Sequence, residues 1–211
     1  MCSIIENERA LSIDEKKIIV WRIAKMEDMS YWKEVWERKG RSDSDCLGEL
    51  DGYDHNPEVV KEIAREIAKE LDIKETDKVL EVGCGAGGLA QYIKCGQYVG
   101  VDYSSSLVKK HIKILNNSVL QGEANDLIFK DKSFDKVICF GVLLYFPNKE
   151  YAKQAIDEMK RVAKEAIYIG EIPITSHSEE HLLFDKSEFD GWKITDGYYR
   201  PSRFNAIFKL D

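Results

Sequence analysis

A chain of 211 residues is long enough to bury a sheet between two layers of helices, and it reads as one domain. Its formal net charge of −7 argues against a large nucleic-acid footprint, because phosphate binding rests on clustered Lys and Arg that release counterions. No segment nears the roughly 20 uninterrupted apolar residues of a membrane span, and Glu6, Glu8 and Arg9 stand where an export signal needs an apolar stretch. A cytoplasmic protein acting on a small molecule, with neither nucleic acid nor membrane as partner, is expected.

Residues 11 to 39 carry helical patterning (Ile18, Ile19, Ile23, Met26, then Trp32, Val35 and Trp36), and the polar stretch from Gly40 to Asp54 reads as a loop. Residues 1–56 are therefore expected to form a helical cap over a core spanning 57–211. Asn56-Pro57-Glu58 starts a helix with proline at its first position, and Val60, Ile63, Ala64, Ile67, Ala68 and Leu71 give it an apolar stripe. From residue 78 onward, short apolar runs alternate with helical periods, the pattern of a parallel sheet with crossover helices. The strands are expected at Lys78 to Val82, Tyr98 to Val101, Val119 to Gln121, Phe134 to Phe140, Ala166 to Gly170, Trp192 to Thr195 and Phe204 to Lys209. Ser104 or Ser105 caps one intervening helix and Asn148 another. The last two strands are joined by a Gly-, Tyr- and Pro-rich connection, which reads as an antiparallel hairpin closing one edge. The five cysteines are odd in number and form no CxxC pair, so they read as reduced thiols and no metal site is expected.

The sharpest local feature is Val79-Leu80-Glu81-Val82-Gly83-Cys84-Gly85-Ala86-Gly87-Gly88, a buried strand running into a glycine-rich turn, with a helix expected from about Leu89. Glycines let the backbone approach a ligand closely, and helix N-terminal amides would point at it. Gly83, Gly85 and Gly88 also satisfy GxGxxG, with Asp102 about 20 residues on, so a nicotinamide dinucleotide has to be weighed. Against it, Glu81 would repel a pyrophosphate but suits a ligand carrying an ammonium and a sulfonium, and little chain remains for a dehydrogenase's substrate domain.

With Val99-Gly100-Val101-Asp102-Tyr103-Ser104, Gln121-Gly122-Glu123-Ala124-Asn125-Asp126-Leu127 and the run from Phe134 to Pro147, this loop forms an ordered set of four motifs. The set resembles the class I S-adenosylmethionine-dependent methyltransferases, in the branch of small bacterial enzymes of the type 11/12 kind. It departs from them in having Glu123 where Asp is more usual. The resemblance implies an α/β, Rossmann-like fold: a seven-stranded sheet in the order 3-2-1-4-5-7-6, its last strand antiparallel, with helices on both faces. It also implies S-adenosyl-L-methionine as cofactor and S-adenosyl-L-homocysteine as product. Gly83, Cys84 and Gly85 would meet the methionine portion, Glu81 would order its amino group, and Asp102 would accept both ribose hydroxyls. Tyr103 would pack near the adenine, Glu123 and the Ala124 amide would meet its edge, and Phe140 would present backbone to the methionine end.

Displacement at a sulfonium needs positioning more than a universal catalytic residue. Tyr31, His55 and Tyr145 are the candidates for a catalytic group, and Trp32 for a substrate wall; Trp32 and Trp36, four apart, are equally explained as a helix's packing face. Tyr199, Arg200 and Arg203 could hold a carboxylate or phosphate, or the arginines could merely offset nearby acids. His177-Ser178-Glu179-Glu180-His181 fits HxxEH, but a polar connection is an unpromising setting for zinc. The expected activity is O- or N-methylation of a small polar metabolite, acidic or phosphorylated and of sugar type, by a monomer or homodimer. A cofactor-binding scaffold without transfer activity and an NAD-dependent oxidoreductase are the alternatives.

Overall fold

The computed structural model describes residues 30–52, 56–175 and 181–210. Seven strands form one sheet in the order β3-β2-β1-β4-β5-β7-β6. They are β1 (Lys78–Val82), β2 (Gln97–Asp102), β3 (Ser118–Gln121), β4 (Phe134–Phe140), β5 (Ala163–Pro173), β6 (Lys193–Asp196) and β7 (Arg203–Lys209). Neighbours from β3 to β5 run parallel, whereas β7 lies antiparallel to both β5 and β6. The expected strand order and closing hairpin are thus found, on a Rossmann-like sheet. The principal difference in length is β5, which extends three residues beyond each end of the expected run because it pairs with β4 and β7 through a register shift.

Five helices accompany the sheet among the described residues: α1 (Ser30–Gly40), α2 (Leu47–Leu50), α3 (Pro57–Glu70), α4 (Ser105–Leu115) and α5 (Lys149–Val162). Their starts follow from local chemistry. Asn56, Ser104 and Asn148 each accept a hydrogen bond from a first-turn amide, offsetting donors that the helix itself cannot satisfy. One face of the sheet packs Leu80, Val137 and Ile167 against Ala155 and Met159 of α5, and the other packs Val79, Ile138 and Tyr168 against Ile63 and Ile67 of α3. The strand order reverses at β1 and β4, and a ligand crevice opens outside the carboxyl ends of such strands.

Two local expectations are corrected. No α-helix follows the glycine loop; Ala90–Tyr92 makes a single 3₁₀ turn. Only Leu89 to Gly96 separate the loop from β2, and Gly96 and Gln97 already bond back to the Asp77 carbonyl, so an α-helix has no room to propagate. The polar stretch after Gly40 is not all loop, since Leu47 and Leu50 bury themselves and fold α2. The patterned residues Ile18 to Met26 lie outside the described residues.

Candidate active site

The loop after β1 is built from bare backbone. Gly83, Gly85 and Gly87 have φ of 75°, 51° and 100°, a left-handed region that side chains disfavour. A Cβ on Gly83 would run into Val142, and one on Gly85 into the carboxylate of Asp51. The amides of Gly83 and Cys84 donate to the Val101 carbonyl at 2.8 and 3.1 Å, which fastens the loop to β2. Beneath it, His111 Nδ1 lies 3.1 Å from the Gly85 carbonyl, and Asn117 Nδ2 lies 3.1 Å from His111 Nε2. This pairing fits a neutral ring protonated on Nδ1, and burial accordingly lowers the histidine's pKa.

Three carboxylates surround the loop. Asp102, at the end of β2, accepts from the amides of Gly85 (2.9 Å) and Ser104 (2.8 Å), and burial pushes its pKa up to about 6. Glu81 accepts from the Tyr98 hydroxyl at 2.6 Å and is pushed by burial to about 8. Asp51, just after α2, accepts from the amides of Ala86 (2.6 Å) and Gly88 (2.5 Å) and is pushed to about 7, again by burial first. Only Asp51 and Asp102 line the cavity over the loop; Glu81 sits in β1 behind it. At the other end of that cavity, the Tyr151 hydroxyl accepts from the Ala124 amide (3.2 Å) and donates to Glu123 (3.0 Å). The Tyr103 hydroxyl is buried without a hydrogen-bond partner among the described residues.

A second cavity adjoins the first, and Asp51, Phe140, Gly141 and Tyr145 border both. Its further wall carries Glu171, His181, Tyr199, Arg200 and Arg203. Glu171 is a non-glycine residue at φ 58°, buried where β5 bulges, and its own amide donates to Asn205 Oδ1 at 3.0 Å. Its carboxylate accepts from the amides of Tyr198 (2.5 Å) and Tyr199 (3.3 Å) and pairs with Arg203 at 3.5 Å. Burial raises its pKa despite those partners. Over the cavities lies an aromatic cluster: the Tyr145 ring stands edge-on to Trp32, Trp36 and His181, at centroid distances of 4.7, 5.1 and 5.5 Å. Trp32 in turn stacks on His181 at 5.3 Å.

A family model described as a methyltransferase domain matches residues 80–168, the stretch from β1 into β5. A probable methyltransferase of Aspergillus luteorubrus is 32% identical over 155 residues, covering 66% of this chain and 51% of that protein. A solved S-adenosylmethionine-dependent methyltransferase of Aquifex aeolicus superposes with a TM-score of 0.56 at 19% identity, covering 74% of this chain and 99% of that one. The stretch from β1 into β5 thus matches a methyltransferase domain, and the chain shares its fold with solved S-adenosylmethionine-dependent methyltransferases. The phosphoethanolamine N-methyltransferase 1 of Haemonchus contortus, solved with phosphoethanolamine and S-adenosylhomocysteine, shares the fold with a TM-score of 0.63 at 14% identity, over 86% of this chain and 48% of that one. The chain spans about half or less of the length of the first curated relatives it matches.

The residues expected at the site separate into groups. Gly83, Gly85, Asp102, Tyr103, Ala124 and Phe140 line the cavity over the loop. Cys84 instead packs its side chain with Val108 and Val119, and Glu123 stands at the edge, 3.7 Å from Lys33. Tyr199, Arg200 and Arg203 line the second cavity, and Tyr145 borders both. Tyr31 and Trp32 line neither; Tyr31 meets the Trp32 ring edge-on at 4.9 Å. Trp36 combines the two readings given to its helix, being buried among Leu47, Leu50 and Leu107 while lining the first cavity. His55 lies outside the described residues, as does the HxxEH segment except for His181. Asp51, Tyr151, Glu171 and His181 are wall or support residues that no local pattern marked as cofactor- or substrate-binding.

Proposed function

We propose that this chain transfers a methyl group from S-adenosylmethionine to an oxygen or nitrogen of a small polar metabolite bearing a phosphate or carboxylate, such as a phosphorylated sugar-type precursor. The observation that carries the reading is the shared border of the two cavities. A donor in the first would present its methyl group to an acceptor in the second across Asp51, Phe140, Gly141 and Tyr145.

The first cavity suits the cofactor chemically. Gly83 and Gly85 leave room for close approach, Asp102 offers a carboxylate to a ribose diol, and the unpartnered Tyr103 hydroxyl favours a polar ligand. Among the described residues its walls carry two carboxylates and no lysine, arginine or histidine, as a cationic ligand requires. When bound, S-adenosylmethionine supplies a methyl group on an already activated leaving group. The protein's task is then to hold and aim the reactants, a contribution worth up to about 7–11 kcal/mol. Tyr145, beside both cavities, is the best placed of the expected catalytic groups, with Trp32, Trp36 and His181 packed edge-on around its ring.

On the acceptor side, Arg200 and Arg203 share a wall with Asp51 and Glu171, Arg203 pairing with Glu171 at 3.5 Å, and the two arginines beside Tyr199 and His181 are the groups that favour an anionic substituent. The phosphoethanolamine of the Haemonchus enzyme is a ligand of that class. A single domain, working as a monomer or homodimer in the cytoplasm, is part of the same reading. No helix among the described residues is long and apolar enough to cross a membrane.

The test is transfer of label from methyl-labelled S-adenosylmethionine to a panel of phosphorylated sugars, phosphorylated amines and their neutral counterparts, with calorimetry of cofactor binding alongside. Methylation of phosphorylated members but not of neutral ones is expected. Binding without product across the panel would favour a scaffold, and a folded sample that ignores the cofactor but perturbs NADH fluorescence would overturn the assignment.

A further inference from the structure

Asp51 reaches the glycine loop from outside the sheet. Leu47 and Leu50 of α2 are buried against Trp36, Ala86 and Leu107, and this docking delivers the next residue to the loop amides. Its two oxygens each take one amide, from Ala86 and Gly88. A carboxylate has about four lone-pair positions, so two remain for further donors. Gly85 is the glycine that makes room, because a side chain there would occupy the position of Asp51 Oδ1. The nearby cation, Lys39, lies over the Trp36 ring at 4.6 Å, reaches the Glu49 carbonyl at 3.5 Å, and lines neither cavity.

The position along the cofactor cavity is equally specific. Asp102 stands at the end of β2, Ala124 and Tyr151 mark the far end, and Asp51 borders the junction with the acceptor cavity. A ligand whose ribose meets Asp102 and whose base reaches Ala124 therefore has its amino-acid tail beside Asp51. Glu81, the acid that motif reading assigns to the tail's ammonium, lies behind the loop and is engaged by Tyr98.

We propose that Asp51, supplied by the cap, is the residue that receives the α-ammonium of the cofactor, so that docking of α2 completes the methionine half of the site. This inference rests on the cofactor reading above. It predicts that the cap discriminates between adenosyl ligands with and without an amino-acid tail.

The experiment is calorimetric titration of the full chain with S-adenosylhomocysteine and with 5′-methylthioadenosine, which keeps the adenosine and thioether but lacks the tail. Asp51→Asn should weaken S-adenosylhomocysteine by about ten- to a hundredfold, the worth of hydrogen bonds to a charged group, and leave methylthioadenosine within about twofold. Leu50→Ala, which loosens the docking of α2 without altering a residue that lines either cavity, should show the same selectivity and guards against a local defect in the first variant. Equal weakening of both ligands, or no weakening of S-adenosylhomocysteine, overturns the inference while leaving the cofactor reading intact. A folded parent that binds neither ligand overturns both.

Discussion

Replacing Asp102 by alanine tests stability and recognition together, because the same carboxylate serves both. In the ligand-free protein it accepts from two buried amides, Gly85 at 2.9 Å and Ser104 at 2.8 Å. Leaving a buried donor unsatisfied costs about 1–3 kcal/mol, so Asp102→Ala should destabilise by about 2–6 kcal/mol, reduced by relief of the burial that holds this carboxyl near 6. For a chain of this size that is a melting point lower by at least about 4 °C. With S-adenosylhomocysteine, two hydroxyl bonds to a charged acceptor are lost, about 3–6 kcal/mol, or a hundredfold to ten-thousandfold in affinity. Glu123→Ala removes a partly exposed carboxylate whose partners are Tyr151 and Lys33, and should cost less than about 1 kcal/mol in stability and at most about tenfold in binding. Differential scanning fluorimetry and calorimetry on both variants and on Asp102→Asn, which keeps one acceptor oxygen and should fall between, read these quantities directly. An Asp102→Ala protein that binds S-adenosylhomocysteine like the parent would show that the ribose is held elsewhere.

Burial raises Asp51 to about 7 and Glu81 to about 8, so the folded protein keeps protons that the unfolded chain has already lost near pH 4. Ligand-free stability should therefore fall as pH rises from about 6.5 to 8, and it goes on falling above that as the unfolded chain ionises thiols that burial keeps protonated at Cys84, Cys95 and Cys139. His111, whose pKa burial lowers, acts in the opposite sense only at and below its ordinary range, and Asp135 and Glu158, held low by Lys164 and Arg161, matter only in acid. Melting points at the two ends of the window, with Glu81→Gln flattening the slope, check the sign; a rise with pH contradicts it. Gly83→Ala forces a side chain into left-handed backbone against Val142, and should lose about 1–3 kcal/mol of stability together with at least tenfold in S-adenosylhomocysteine affinity by calorimetry. Arg200→Ala should raise KM for a phosphorylated acceptor by about tenfold or more with cofactor affinity unchanged; an unchanged KM would dissociate this arginine from the anion.

Most of the sheet was legible because each strand is a short apolar run bounded by turn residues, and because Asn56, Ser104 and Asn148 mark helix starts by side-chain chemistry that acts over two or three residues. The glycine loop was legible for the same reason, its conformation being demanded locally. Asp51 was not: it sits in a polar stretch, and its partners Ala86 and Gly88 are 35 and 37 positions away. Glu171 was hidden by a strand that continues through it at a bulge, and Tyr151 by a helix face where an aromatic ordinarily signals packing. The helix expected after the loop failed on length, which only the pairing of Gly96 and Gln97 with Asp77 reveals.

That missing helix bears on how the recess sorts nucleotides. A diphosphate would need converging amides and the positive pole of a long helical axis, whereas here the chain makes one brief 3₁₀ turn and a carboxylate already sits on the amides of Ala86 and Gly88. The spacing Gly83, Gly85, Gly88, shared with dinucleotide folds, thus frames a pocket of reversed polarity, one that turns away polyanions by charge before shape is ever tested.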